Sequence, residues 1–139
     1  VNTLIRACVS MALAIALSSC ARPDSRAAHT AAISEGANAI NSQAGKYSSY
    51  ADFMAANDAP FRREMASFGL TEPPQIRCAA GVATKHFIHP SDLEKLDAAV
   101  TGRKPITPQQ YDAAVYTMEY RLGDSERRKA MEAELPICR

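Results

Sequence analysis

Two closely spaced histidines are the residues with the clearest capacity for metal chemistry in this 139-residue chain. His86 and His89 are three positions apart, so a helix would place both imidazoles on one face. Cys78 or a carboxylate such as Asp92 would then complete a metal site. Against this, Pro90 disfavours helical geometry at His89, and Cys78 is a candidate for a disulfide. We therefore interpret both histidines as surface or capping residues and expect no metal site.

Motifs for enzyme catalysis are missing from the sequence. Nucleophilic catalysis needs a nucleophile, a base and an orienting group, yet there is no G-x-S-x-G, no H-E-x-x-H and no glycine-rich phosphate loop. Carboxylates occur in two close pairs, Asp92 with Glu94 and Glu132 with Glu134. Both pairs fall near predicted helix starts or on exposed faces, where acidic residues are routine. We expect no enzyme activity, no catalytic residue and no cofactor.

The charge balance argues against a nucleic-acid-binding protein. The chain has 16 Lys and Arg against 15 Asp and Glu, whereas binding to nucleic acid needs a basic surface that releases counterions. One local basic cluster, Arg127-Arg128-Lys129, lies in the first turn of a predicted helix, where positive charge opposes the helix dipole. Arg127 and Arg128 are therefore candidate contacts for an acidic partner or a lipid phosphate, with a solvated surface as the alternative.

Two tyrosines are the best candidates for binding a protein partner. Tyr116 and Tyr120 are one helical turn apart and lie off the apolar stripe of their predicted helix. If both are exposed, they form an amphipathic patch of the kind that is enriched in protein interfaces.

The first twenty residues have the organisation of an export signal. Arg6 supplies the positive charge, and residues 7–17 form an apolar run within the range of about 7–15 residues typical of secretory signals. The run is too short to span a bilayer, which takes about 20 residues as a helix. Val1 in place of Met suggests a non-AUG start codon, and we expect residue 1 to be the true start.

The end of this segment resembles a known type of anchor signal. Leu17-Ser18-Ser19-Cys20 resembles the lipobox of bacterial lipoproteins, an aliphatic residue and two small residues before the cysteine that receives the lipid. The resemblance covers residues 1–20 only, and no family is recognised for the mature domain. It implies cleavage before Cys20 and three acyl chains on that residue, which is enough for stable membrane anchoring.

The same resemblance implies a location and a division of the chain. Ala21, rather than Asp, after the lipidated cysteine resembles the outer-membrane sorting pattern of enterobacteria. We expect residues 1–19 to be a cleaved signal peptide, residues 20–27 a lipidated tether, and residues 28–139 a helical domain in the periplasm. The protein would then be held at the periplasmic face of the outer membrane.

Two cysteines, Cys78 and Cys138, remain in the predicted domain. An exported domain with an even pair of cysteines favours a disulfide. The bond would close a loop of about 60 residues and contribute roughly 4 kcal/mol. The alternatives are a redox-active pair or an intermolecular bridge.

Helical periodicity dominates residues 28–56. Its apolar positions are Ile33, Ala37, Ile40, Ala44, Tyr47, Ala51 and Met54. Gly45 and the pair Ser48-Ser49 weaken the run, which predicts a break near 45–49. This alanine-rich stripe indicates core packing or, alternatively, self-association through residues 33–54.

Further helices are predicted from capping residues and from prolines and glycines at helix ends. The first two run from Asp58 to Gly69 and over 75–86. The next two begin at capping boxes, one from Ser91-Asp92-Leu93-Glu94 to Gly102 and one from Thr107 to Gly123. The last runs from Asp124 or Ser125 to Pro136, with Ala130, Met131 and Leu135 as apolar positions. We predict an all-α fold, a small bundle of about five helices stapled by one disulfide.

These features favour a non-enzymatic interaction or accessory module of the cell envelope. The expected partners are the membrane, through the lipid on Cys20, and an envelope protein. No nucleic-acid partner is expected. The alternative is a ligand-binding or inhibitory lipoprotein with a pocket between its helices.

Overall fold

The computed structural model describes residues 25–139, so Cys20 and the whole predicted signal lie outside the described residues. The described part consists of seven α-helices and a short 3₁₀-helix, with no strand, which confirms the all-α prediction. The elements are α1 (Ser25–Asn41), α2 (Tyr50–Asn57), α3 (Ala59–Ser67), α4 (Pro73–Phe87), α5 (Pro90–Val100), α6 (Pro108–Leu122), α7 (Ser125–Glu134) and the 3₁₀-helix (Leu135–Cys138).

The predicted count of about five helices is wrong: the described residues contain seven, because the run over 28–56 forms two helices and each of the five further predicted segments forms one. The periodic run over 28–56 separates into α1 and α2, and α3 follows α2 after one residue, Asp58. Residues 25–27 belong to α1, although the sequence placed them in the tether. None of the helices between Ser25 and Cys138 combines the length and the apolar character needed to cross a membrane.

The turn between α1 and α2 is held in place by α5. Gly45 adopts a φ of +79°, which favours glycine, and its N–H donates to the carbonyl of Val100 at 2.9 Å. The N–H of Tyr50 donates to Asp97 Oδ1 at 2.7 Å. The predicted break near 45–49 is confirmed, and it bends the chain back over α5.

Of the helix starts predicted from capping residues, those at Asp58, Thr107 and Asp124 are confirmed and the one at Ser91 is not. Asp58 caps α3 by accepting from the N–H of Phe61 at 2.9 Å, and the predicted capping box at Thr107 is present. The capping box predicted at Ser91-Asp92-Leu93-Glu94 is wrong. His89 is the N-cap of α5, and its Nδ1 accepts from the N–H of Ser91. The start moves upstream because Pro90, which lacks an N–H, suits the first helical position.

The core is divided into two clusters of buried side chains. One joins α1, α5 and α6 through Ala37, Ile40, Ile88, Leu96, Val100, Ile106, Tyr111 and Ala114. The other joins α2, α3, α4 and the C-terminal end through Met54, Phe61, Met65, Leu70, Ile76, Phe87, Met131 and Leu135. Met118 of α6 packs against both. The predicted stripe over 33–54 therefore packs within the fold in two places, while Ala44 between them is exposed. Ala130, predicted as an apolar position of the last helix, is also exposed.

A disulfide closes the C-terminal end onto α4. The Sγ atoms of Cys78 and Cys138 are 2.06 Å apart, and their Cα atoms are 5.5 Å apart. This pairing agrees with the one predicted from the sequence, and Cys138 is buried in the second cluster. The bond fixes the last turn of the described chain to a central helix.

Candidate functional site

The two histidines have different structural roles. His86, in the last turn of α4, places Nε2 2.8 Å from Glu134 Oε1, and Lys85 also pairs with Glu134. Hydrogen bonds from Lys85 and then from His86 lower the pKa of Glu134 below its ordinary value. His89 caps α5. Within residues 25–139 no three His, Cys, Asp or Glu side chains form a group that could hold a metal ion.

The carboxylate pairs singled out in the sequence do not act as units. Glu132 accepts a hydrogen bond from Arg128 Nε at 3.1 Å, whereas Glu134 pairs with Lys85 and His86. Asp92 is buried in the first turn of α5, and Glu94 is exposed. Glu132 therefore pairs within α7, and Glu134 pairs with α4.

The two arginines predicted as partner contacts are both engaged within the fold. Arg128 Nη2 lies 2.8 Å from Glu64 Oε1, and the two side chains are only 20% and 13% exposed. Burial raises the pKa of Glu64, and the charge of Arg128 opposes that rise. Arg127 pairs with Asp124 at 3.5 Å. The Arg128–Glu64 pair joins α7 to α3, and Arg127 Nη1 donates to the carbonyl of His86 in α4 at 3.4 Å.

The two tyrosines predicted as partner contacts lie on the outer face of α6. Tyr116 is 74% exposed and Tyr120 is 79% exposed, and both belong to α6, one turn apart. The inner face of the same helix carries Tyr111 and Ala114 into the core. The condition set by the sequence, that both rings are exposed together, is therefore met. We call these two side chains the tyrosine surface.

A groove that the sequence did not indicate opens between the α1–α2 turn, α2, α3 and the start of α4. Its volume is about 660 Å³, within the range of roughly 300–1,000 Å³ for small-molecule sites. Its lining consists of Lys46, Tyr47, Ser48, Asp52, Ala55, Ala56, Arg62, Thr71, Pro73, Ile76 and Arg77. We call it the α2–α4 groove.

No local signal could have revealed this groove, because its charged residues are far apart in sequence. Lys46 belongs to the α1–α2 turn, Arg62 to α3 and Arg77 to α4. From the sequence alone, each of them is interpreted as a solvated surface charge. Only the folded backbone brings them to one cavity.

Comparison with known proteins adds no assignment. No known protein family, no curated protein and no solved structure matches this chain. The candidate sites are therefore the tyrosine surface and the α2–α4 groove, and each is interpreted from its own geometry.

Proposed function

We propose that this chain is a membrane-anchored periplasmic lipoprotein that acts as a non-enzymatic interaction or accessory module of the cell envelope. In this proposal the lipid on Cys20 holds the helical domain at the periplasmic face of the outer membrane. The tyrosine surface then faces an envelope protein. The observation that carries the proposal is the joint exposure of Tyr116 and Tyr120 on one face of α6.

The energetics of aromatic exposure support this choice of surface. Tyrosine side chains supply large, rigid contact area with a polar tip, and they are enriched at the centres of protein interfaces. Ile137 is the other large hydrophobic residue exposed among residues 25–139, but it stands alone near the chain end. Arg127 and Arg128, included in the sequence-based expectation, pair with acidic residues of the fold, so the proposal rests on the tyrosines.

Quantitative co-purification tests the tyrosine surface. The lipidated protein is recovered from membranes after mild cross-linking in cells, and partner recovery is compared between wild type and the double variant Tyr116→Ala/Tyr120→Ala. Ile137→Ala is the matched control, since it removes an exposed apolar side chain elsewhere. We expect the double variant to lose the partner and the control to keep it. Equal recovery by all three proteins would reject this surface.

The anchor is tested separately at Cys20. Mass spectrometry of the N-terminal peptide is expected to find the acylated cysteine, and Cys20→Ser is expected to release the protein from the membrane fraction. Membrane association that is unchanged in Cys20→Ser would contradict the lipoprotein proposal.

The second candidate function is a ligand-binding or inhibitory lipoprotein. The observation that favours it is the α2–α4 groove, which has the volume of a small-molecule site and lies between helices. This function does not compete for the same residues as the first, because the groove and the tyrosine surface share none.

A further inference from the structure

We infer that the α2–α4 groove binds a small organic anion, a carboxylate or phosphate with an aromatic or acyl body. The charged head would contact Arg77, Lys46 and Arg62, and the body would lie on the apolar lining. This inference rests on the ligand-binding function proposed above and names the class of ligand.

The charge of the groove is the first argument. Three cations, Lys46, Arg62 and Arg77, line it with a single carboxylate, Asp52, which leaves two net positive charges. The described residues as a whole carry 14 Lys and Arg against 14 Asp and Glu, a net charge of zero. A concave site with net positive charge, in a domain that is neutral as a whole, has a positive electrostatic potential that favours binding of an anion.

The lack of internal partners for these charges is the second argument. The side chains of Lys46 and Arg77 make no ion pair and no hydrogen bond within residues 25–139, although both line the groove. Lys85 and Arg128, by contrast, pair with Glu134 and Glu64. Lys46 and Arg77 therefore remain free to bind an anion.

Arg62 is already fixed in place. Its Nη1 donates to the carbonyls of Ala55 at 3.1 Å and Ala56 at 2.9 Å. A guanidinium carries five N–H donors, and the other donors of Arg62 have no partner in the described part of the chain. Because this side chain is held before a ligand arrives, little conformational entropy is lost when an anion binds.

The remaining lining residues provide the surface on which the body of the ligand would pack. Ala55, Pro73 and Ile76 give the groove apolar surface, and Tyr47 gives it an aromatic ring. That ring is itself held in place: its hydroxyl accepts from Asn57 Nδ2 at 2.8 Å. A few polar groups over a mostly apolar lining is the usual composition of a small-molecule site.

Three probes of one shape and different charge test the inference. Benzoate, benzamide and benzamidine carry negative, zero and positive charge on nearly the same framework. Each is titrated into the full chain held in phosphatidylcholine nanodiscs, and binding is followed by the NMR shifts of backbone amides in the groove. We expect saturable binding of benzoate at these amides, binding of benzamide weaker by about tenfold, from the loss of one charge-assisted hydrogen bond, and no saturation by benzamidine. Phenyl phosphate, titrated in parallel, determines whether the preferred head is a phosphate or a carboxylate.

Variants then locate the anion within the groove. Arg77→Gln is the main variant, because this exposed side chain has no partner whose loss would unfold the protein, and Lys46→Gln is the second. Arg63→Gln is the matched control, since Arg63 is an exposed arginine of α3 that does not line the groove. We expect Arg77→Gln to weaken benzoate binding about tenfold and Arg63→Gln to leave it unchanged.

Different results would reject the anion inference and the ligand-binding function. The anion inference is wrong if benzamide binds as tightly as benzoate, or if Arg77→Gln and Lys46→Gln bind benzoate like wild type. The groove would then be a site for uncharged ligands. If no probe shifts the groove amides at all, the ligand-binding function fails together with the anion inference.

Discussion

Gly36 of α1 lies directly under the ring of Tyr111 of α6. A Cβ built on Gly36 would be 2.6 Å from Tyr111 Oη and closer still to the ring carbons Cε1 and Cζ. Both residues are buried at this crossing. The absence of a side chain at Gly36 thus allows α6 to approach α1, and α6 is the helix that carries the tyrosine surface.

Gly36→Ala should destabilise the protein although alanine favours helix. The substitution gains about 1 kcal/mol of helix propensity, but overpacking against a buried ring costs about 1–3 kcal/mol. We expect a net loss of up to about 2 kcal/mol in the free energy of unfolding, measured by chemical denaturation. In a Tyr111→Ala background, adding Gly36→Ala should cause no further loss, because the clash with the ring is then gone.

Gly81 provides the matched control for Gly36. It lies in the middle of α4, is exposed, and a Cβ built there meets nothing within 4 Å. Gly81→Ala should therefore raise the free energy of unfolding by up to about 1 kcal/mol. Equal and stabilising effects of Gly36→Ala and Gly81→Ala would contradict the close approach of α1 and α6.

The buried ring of Tyr111 predicts a loss of stability in alkali. Burial raises the pKa of Tyr111 from 10.0 to about 12, so the folded protein keeps a proton that the unfolded chain releases. The resulting stability is complete below pH 10 and is lost as the pH rises through 12. Two pKa units correspond to about 3 kcal/mol. Unfolding free energies measured from about pH 9 to about pH 12 should fall less steeply for Tyr111→Phe, and parallel curves would refute this prediction.

The disulfide should contribute a large share of the stability. Cys78 and Cys138 are separated by 60 residues, and closing such a loop restricts the unfolded chain by roughly 4 kcal/mol. Thermal unfolding with and without reductant measures this contribution, and the double variant Cys78→Ala/Cys138→Ala should match the reduced wild type. If reductant leaves the wild-type transition unchanged, the pairing is wrong.

The contact between Arg128 and Glu64 should matter more than its neighbours on α7. Arg128→Ala leaves the mostly buried Glu64 without its cation, and we expect a loss of about 2 kcal/mol at neutral pH. Burial already raises the pKa of Glu64, so the loss should shrink as the pH falls and that carboxyl takes up a proton. Lys129→Ala is the control, because Lys129 and Glu126 are 73% and 80% exposed, and such pairs contribute less than about 1 kcal/mol. Equal, pH-independent effects of the two variants would count against the Arg128–Glu64 contact.

Local signals allowed much of the secondary structure to be predicted from sequence. As predicted, Pro108 opens a helix, and Gly69 and Gly102 follow helix ends with φ values of +78° and +80°. Pro73 and Pro90 also open helices, although the starts predicted from the sequence were at 75 and 91. A missing N–H or a positive φ restricts a residue whatever surrounds it. Pro90 also explains why the capping box predicted at Ser91 was wrong. Because a proline suits the first helical position, His89 and not Ser91 is the N-cap.

Apart from the disulfide, which follows from the two cysteines left in the domain, features that depend on distant parts of the chain could not be predicted. The close approach of Gly36 and Tyr111 is one such feature, because the two residues belong to different helices. The hydrogen bond between Tyr50 and Asp97 and the meeting of Lys46 with Arg77 at one groove have the same origin. The exposure of Tyr116 and Tyr120 was predictable, because it follows from the apolar stripe of their own helix.

Site-specific photo-cross-linking in cells tests the interaction module most directly. A photoreactive phenylalanine is placed in the lipidated protein at position 116, and at position 137 as the control, since Ile137 is similarly exposed. We expect position 116 to cross-link reproducibly to one envelope protein, Tyr120→Ala to weaken this product, and position 137 not to form it. Identical products from both positions, or cross-links only to other copies of this chain, would contradict this expectation.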